Sequence, residues 1–409
     1  MRTYLVSALL AAAPAIAAPF RETVVENGSL KARQADCPAL PSNLNVQSTS
    51  SLPDPFYSYA KGERITSASE WECQRDEIEQ LFEQYELGDF PATVESVDAS
   101  YSGGTLSITV NDQGQSIQFS VSISGGGNNA PAIIAYGYPS IPIPSGVATI
   151  TFSNDDIAAQ QNTGSRGQGK FYDLYGSQHS AGALTAWAWG VDRIIDALEQ
   201  VDAGIDPTRV GVTGCSRNGK GAMVAGALVQ RIALAIPQES GSGGAACWRV
   251  SDWQQTQGQN VQTASQIITE NVWFSQRFDQ YVNNVNSLPV DHHMLAGMVA
   301  PRGQYVIENT SMEWLGAQST FQCMNAAALI YEALGVSDHF GYSQVGGHNH
   351  CQFPSEQNSE IEAFINRFLL DQASVQTNVM RSDGNFNFDQ SQWAPWDVPD
   401  LGEVPTEKV

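Results

Sequence analysis

The chain has 409 residues, 15% of them charged and 42% hydrophobic, with a formal net charge of −23. A field of that sign repels phosphate backbones and anionic lipid surfaces, which excludes nucleic acid and a charged membrane face as partners. The apolar content excludes a disordered chain, and the length allows two or three domains or one α/β unit with long loops.

At the N-terminus Arg2 precedes an apolar stretch from Leu5 to Ala13, and Ala15-Ile16-Ala17 supplies a small-x-small cleavage signal. Residues 1–17 are therefore read as a secretory signal peptide, the apolar run being too short to span a bilayer. Residues 18–36 follow as a short N-terminal segment or pro-segment, in which "KARQADC" suggests processing at Arg33. No later stretch is apolar enough to cross a membrane, so a secreted, extracellular monomer is expected. Asn27 ("NGS") and Asn309 ("NTS") match the glycosylation acceptor pattern. The six cysteines, Cys37, Cys73, Cys215, Cys247, Cys323 and Cys351, are even in number, as exported disulfide proteins require. Sequence alone leaves fifteen pairings open. None has the close spacing of a zinc knuckle, so neither a metal nor a cofactor is expected.

Residues 37 to 90 read as irregular and helical. Between Thr93 and Phe152, "LSITV", "IQFSVSIS", "PAIIAYGYP" and "VATITF" read as strands of a central sheet, broken by the turn-forming "SGGGNN". Leu184, Trp187, Val191, Ile194 and Leu198 then recur at helical spacing on one face. "RVGVTG" reads as a strand, "NGKGAMVAGALV" as a helix rich in small residues, and "IALAIP" as a buried strand ending near Glu239. After a long, Trp-containing insertion come "GQYVIEN", a last strand near "HFGYSQVGG" and a closing amphipathic helix, "EIEAFINRFLL". Strands alternating with helices predict an α/β fold whose mostly parallel sheet is flanked on both faces, with one catalytic domain over 37–409.

The stretch "GVTGCSRNGKGAM" places Ser216 between a strand and a helix. A sharp Gly-x-Ser turn there exposes the hydroxyl, and the backbone N–H of Arg217 can point at a developing oxyanion. The second glycine expected two residues after the serine is Asn218, with glycine displaced to 219. "GGHNHCQFP" offers His348 and His350 as bases. If Cys215 pairs with Cys351, their Cα atoms lie ~5.5 Å apart. Ser216 and His350, one residue or ~3.8 Å further along each chain, then become neighbours. That arrangement favours His350 over His348, which becomes a structural or substrate-side histidine. His179, His292, His293 and His339 lack such a context. The carboxylate that orients the imidazole is Glu239, at the carboxyl edge of the sheet, in preference to Asp338 before the last strand.

Together "VTGCSRNGKGA", "PQESGSGGAACWR" and "GGHNHCQFP" resemble the fungal glucuronoyl esterases, in the same order and over the chain from about Cys37. The resemblance implies a three-layer αβα α/β-hydrolase fold with an open site and a Ser216–His350–Glu239 triad. It implies that Arg217 helps stabilise the oxyanion, and that Asn218 is a family feature. It also implies the bridges Cys37–Cys73, Cys215–Cys351 and Cys247–Cys323. Sugar-binding roles carry over to Lys220, Gln262, Glu270 and Trp314, with Gln262 and Glu270 read as two turns apart on one helical face. The implied reaction is hydrolysis of esters joining 4-O-methyl-D-glucuronic acid of glucuronoxylan to lignin alcohols. Two rival readings are another secreted carbohydrate esterase, such as an acetyl xylan esterase, and an inactive carbohydrate-binding relative.

Overall fold

A computed structural model describes residues 37–402, so the signal peptide, the pro-segment and Asn27 lie outside the described residues. Two short strands, β1 (Tyr57–Ser58) and β2 (Glu63–Arg64), pair with each other. The others form a ten-stranded sheet: β3 (Ser96–Ser102), β4 (Thr105–Asp112), β5 (Gln115–Gly125), β6 (Ala130–Tyr136), β7 (Ala148–Phe152), β8 (Ile205–Cys215), β9 (Ile232–Gln238), β10 (Gly303–Glu308), β11 (Phe340–Gln344) and β12 (Met380–Ser382). Their order is β12-β11-β10-β9-β8-β6-β7-β5-β4-β3. The strands from β3 to β5 are antiparallel, β5 joins β7 antiparallel, and every pairing from β7 through β12 is parallel.

The sequence of each strand explains its place. All seven residues of β6 ("APAIIAY") are buried, as a strand covered on both faces requires. In β5 buried and exposed residues alternate, so one face of the antiparallel wing meets solvent.

The main helices are α1 (Ala68–Phe82), α2 (Ala183–Leu198), α3 (Arg217–Leu228), α4 (Trp248–Thr256), α5 (Ala264–Glu270), α6 (Ala317–Ala333) and α7 (Asn358–Phe368). The larger hydrophobic cluster, with α1, α2, α3 and α6, covers one face of the sheet. On the other, α7 packs Ile361, Phe364 and Ile365 against Ile133, Leu234, Ile236 and Ile307. This is the three-layer αβα arrangement expected. The glycines of α3 have a packing reason, since a Cβ on Gly226 would meet the Cβ of Ala235 in β9 at 2.6 Å. Helix α2 is buried almost all round, and its polar side is occupied by Asp192 and Asp196 bound to Arg231 at 2.6 and 2.7 Å.

Two departures from the sequence reading stand out. Helix α6 lies where no helix was read, its mixed pattern lacking a polar face. Helix α7 does not close the chain, because β12 adds a parallel edge strand beyond it. Three residues are too few to show a period.

The insertion between β9 and β10 is anchored from within. Arg249 and Asp291 are fully buried partners, with Nη1 3.1 Å from Oδ2. Arg249 also donates to the carbonyls of Thr49 and Leu288, at 3.0 and 2.7 Å. Replacing Asp291 by alanine strands this guanidinium without its counter-ion. The unfolding free energy is expected to fall by about 3–5 kcal/mol, measured by urea denaturation. A loss below about 1 kcal/mol contradicts this account.

Candidate active site

Ser216 leaves β8 with φ +62° and ψ −127°, and α3 starts at the next residue. Its N–H donates to Gln238 O at 3.0 Å, which ties the turn to the end of β9. Glycines permit this crossing: a Cβ on Gly214 would lie 2.4 Å from Asn218 O, and one on Gly219 would lie 2.4 Å from Gln238 O. The displaced glycine is thereby explained, because the tight approach falls at 219. Asn218 has its own task, donating from Nδ2 to Tyr136 O at 3.2 Å and accepting from Asn154 Nδ2 at 3.1 Å.

Glu239 is the first residue beyond β9, fully buried, with φ +44°. Its N–H donates to Ile307 O at 2.7 Å. Its Oε2 accepts the Cys351 N–H at 3.0 Å and lies 2.6 Å from His350 Nδ1. Cys351 is bonded to Cys215, with Cα atoms 5.8 Å apart. A ring nitrogen of His350 and both bridge sulfurs lie within 4.8 Å of one another. Both sulfurs are spent in the bond and offer no thiolate to a metal. With Nδ1 facing Glu239, His350 has Nε2 left to accept a proton, and that atom is buried without a hydrogen-bond partner among the described residues. The other bridges are Cys37–Cys73 and Cys247–Cys323.

The competing assignments fall elsewhere. Asp338 precedes β11 at the opposite edge of the sheet, where it pairs with Arg367 at 2.6 Å. His348 binds Val345 O through Nε2 at 2.9 Å, while its Nδ1 lies 3.8 Å from Glu239 Oε1. Asn309 requires correction as a glycosylation candidate. It is fully buried, and its Nδ2 donates to His348 O at 3.3 Å, so no glycan has room there.

The expected sugar-side residues surround this centre unequally. Lys220 is 4% exposed and donates to the carbonyls of Ser240 and Ser242. Burial lowers its pKa to about 8, with the charges of Glu308 and Glu270 opposing that fall. The helical placement of Gln262 is corrected: α5 begins at Ala264 behind a capping box of Thr263 and Gln266, and Gln262 precedes it. Its side chain still reaches Glu270 Oε2. Trp314 is 38% exposed, and its ring meets the His350 ring edge-on at 4.8 Å. Its carbonyl accepts the Gln262 N–H at 3.1 Å.

Sequence reasoning missed two residues. Trp273 lies beneath both cations, 5.9 Å from Arg217 Cζ and from Lys220 Nζ. Its signal was present, since Trp273 stands three residues after Glu270 in "ENVW". Glu308, at the end of β10, gave no signal.

Ser216 and His350 each adjoin one end of the Cys215–Cys351 bridge, and a hydroxyl together with an imidazole held by a buried carboxylate are the groups that acyl transfer uses. The backbone N–H of Arg217, first in α3, has no intrahelical acceptor and can receive an oxyanion.

The family model described as "Glucuronyl esterase, fungi" matches residues 108–335. The 4-O-methyl-glucuronoyl methylesterase of Podospora anserina is 58% identical over 89% of this chain and 78% of its own length. That of Thermothelomyces thermophilus is 54% identical over 96% of this chain and 98% of its own. The catalytic domain of a glucuronoyl esterase from Hypocrea jecorina superposes with a TM-score of 0.86 at 55% identity, over 88% of this chain and 100% of that one. A serine-to-alanine mutant of the Sporotrichum thermophile glucuronoyl esterase, in complex with methyl 4-O-methyl-beta-D-glucopyranuronate, gives 0.86 at 55% identity, over 89% and 99%.

If the Cys215–Cys351 bridge holds the hydroxyl and imidazole together, the Cys215→Ala/Cys351→Ala double variant should react with a fluorophosphonate probe at least about tenfold more slowly at Ser216. Peptide mass spectrometry measures the labelling rate, and an unchanged rate contradicts this role.

Proposed function

The chain belongs to the fungal glucuronoyl esterases, carboxylic ester hydrolases, and we propose from that premise that Ser216, His350 and Glu239 form its catalytic triad toward esters of 4-O-methyl-D-glucuronic acid. The observation that carries the reading is the 2.6 Å contact of His350 Nδ1 with buried Glu239, beside the bridge that joins the two catalytic turns.

Ser216 Oγ attacks the C6 carbonyl carbon as its proton passes to His350 Nε2. Glu239 keeps the Nδ1–H oriented and stabilises the imidazolium. The carbonyl oxygen becomes an oxyanion, held by the Arg217 N–H and approached by the Arg217 guanidinium. As the tetrahedral species collapses, the C6–O bond to the alcohol breaks and the imidazolium protonates the leaving oxygen. Water, deprotonated by His350, then attacks the acyl-serine and releases the free uronic acid.

Lys220, Gln262 and Glu270 hold the ring hydroxyls, and Trp314 forms the wall beside the 4-O-methyl group. In this reading the sugar belongs to glucuronoxylan and the alcohol to lignin. The catalytic unit of residues 37–409 acts as a secreted monomer. Among the described residues no helix is long and apolar enough to cross a membrane.

Steady-state hydrolysis of methyl 4-O-methylglucuronate, with acetylated xylan alongside, tests the reading. Ser216→Ala should lower kcat by at least about 10⁴-fold. Trp314→Ala and Lys220→Met should raise KM about tenfold, a cost of ~1.4 kcal/mol each. Full turnover by Ser216→Ala, or faster deacetylation of xylan by the wild type, contradicts it.

A further inference from the structure

We propose that Glu308 is a positioning residue of this site, which fixes the Ser240–Gly241 turn behind Glu239 and supplies the counter-charge that keeps Lys220 an ammonium. The proposal rests on the sugar-binding role given to Lys220 above.

Glu308 ends β10 beside Gln344 of β11 and is 1% exposed. Its Oε1 accepts the Gly241 N–H at 2.7 Å and the Ser240 hydroxyl at 3.3 Å. Its Oε2 has no hydrogen-bond partner among the described residues. Gly241 has φ +55°, and a Cβ there would meet Leu315 O at 2.9 Å. The turn is therefore clamped between Glu308 and the segment carrying Trp314. Lys220 donates to the carbonyls of Ser240 and Ser242 in the same turn. One short loop thus presents the triad carboxylate at 239, receives the ammonium at 240 and 242, and is gripped by a second carboxylate at 241.

The charges around this loop give Glu308 its consequence. An ammonium removed from water sheds its proton readily unless an anion faces it. Burial lowers Lys220 to about 8, Arg217 of α3 adds to that fall, and Glu308 and Glu270 of α5 oppose it. Burial raises Glu308 to about 7, with the Glu239 charge adding and the Gly241 N–H and Lys220 opposing. From the turn after β11, His350 and His348 approach the cluster through Glu239. Above pH 7 Glu308 is an anion and holds the proton on Lys220. Without that charge Lys220 deprotonates at lower pH, so sugar binding fades at lower pH.

The test is KM for methyl 4-O-methylglucuronate from about pH 6 to 10 in the wild type, Glu308→Gln and Lys220→Arg. In Glu308→Gln the amide oxygen still accepts the Gly241 N–H. The alkaline rise in KM should begin about one pH unit lower. A guanidinium stays charged throughout, so Lys220→Arg should flatten the rise. Superposable KM profiles for wild type and Glu308→Gln overturn the proposal. So does an alkaline rise that survives in Lys220→Arg, and this arm holds even if the glutamine variant does not fold. Failure of the triad reading is distinct, since it shows as turnover by Ser216→Ala.

Discussion

The Cys215–Cys351 bridge joins two turns that the sheet alone would keep apart. In strand order β8 and β11 are separated by β9 and β10, three strand spacings or roughly 14 Å. The bonded Cα atoms are 5.8 Å apart, so the chain must arch inward over the ends of β9 and β10. Two consequences follow from that path. The Cys351 N–H comes to rest on Glu239, and the carboxylates ending β9 and β10 are roofed over and lose solvent. An α/β sheet places its loops at one edge, and the bridge draws two of those loops together there.

Such closure has a conformational cost, and the backbone shows where it falls. Among the described residues six non-glycine positions have positive φ, and Ser216, Glu239 and Cys351 are three of them. Each costs about 1–3 kcal/mol and persists only where its surroundings over-determine it. The bridge closes a loop of sequence separation 136, for which chain entropy gives about 5 kcal/mol of stabilisation. Further support comes from the far end of the 239–244 loop, where His292 faces Gly244 O at 2.6 Å and Glu86 at 2.7 Å. Burial opposes a charge on His292, but Glu86 outweighs it and raises the histidine's pKa. His292, which has no local context in sequence, is thus a buried strut of the loop that carries Glu239.

What the sequence disclosed and what it hid divide along a physical line. Strand–helix alternation, the elbow at Ser216 and the edge position of Glu239 are local or follow from topology, and they were legible. The boundary of α5 was also written locally, in Thr263 and Gln266, yet the even spacing of Gln262 and Glu270 suggested a longer helix. Burial of polar groups was not legible. "GQYVIEN" reads as an apolar strand with polar ends, and nothing in it marks Glu308 as enclosed. The sequon at Asn309 is equally uninformative, because only the fold turns its amide toward His348. Disulfide partners were unconstrained until family resemblance chose among fifteen pairings.

Binding and chemistry share one mechanical part here. A lysine that touched only sugar could be moved without disturbing the triad. Lys220 instead holds two carbonyls of the loop that begins with Glu239, and its own N–H donates to Ser216 O at 3.0 Å. It therefore links the turn of Ser216 to the turn of Glu239. Trp314 makes a second link, since its ring touches His350 and its carbonyl holds the segment leading to α5. In the proposed reading, a sugar seated against Lys220 and Trp314 would press on groups that contact the turns of Ser216 and Glu239 and the ring of His350. On that reading, binding energy spent there would stiffen the geometry that the transition state needs and so raise kcat as well as affinity. An acyl group without a sugar ring would make none of these contacts, so a site built this way would select through the turns of Ser216 and Glu239.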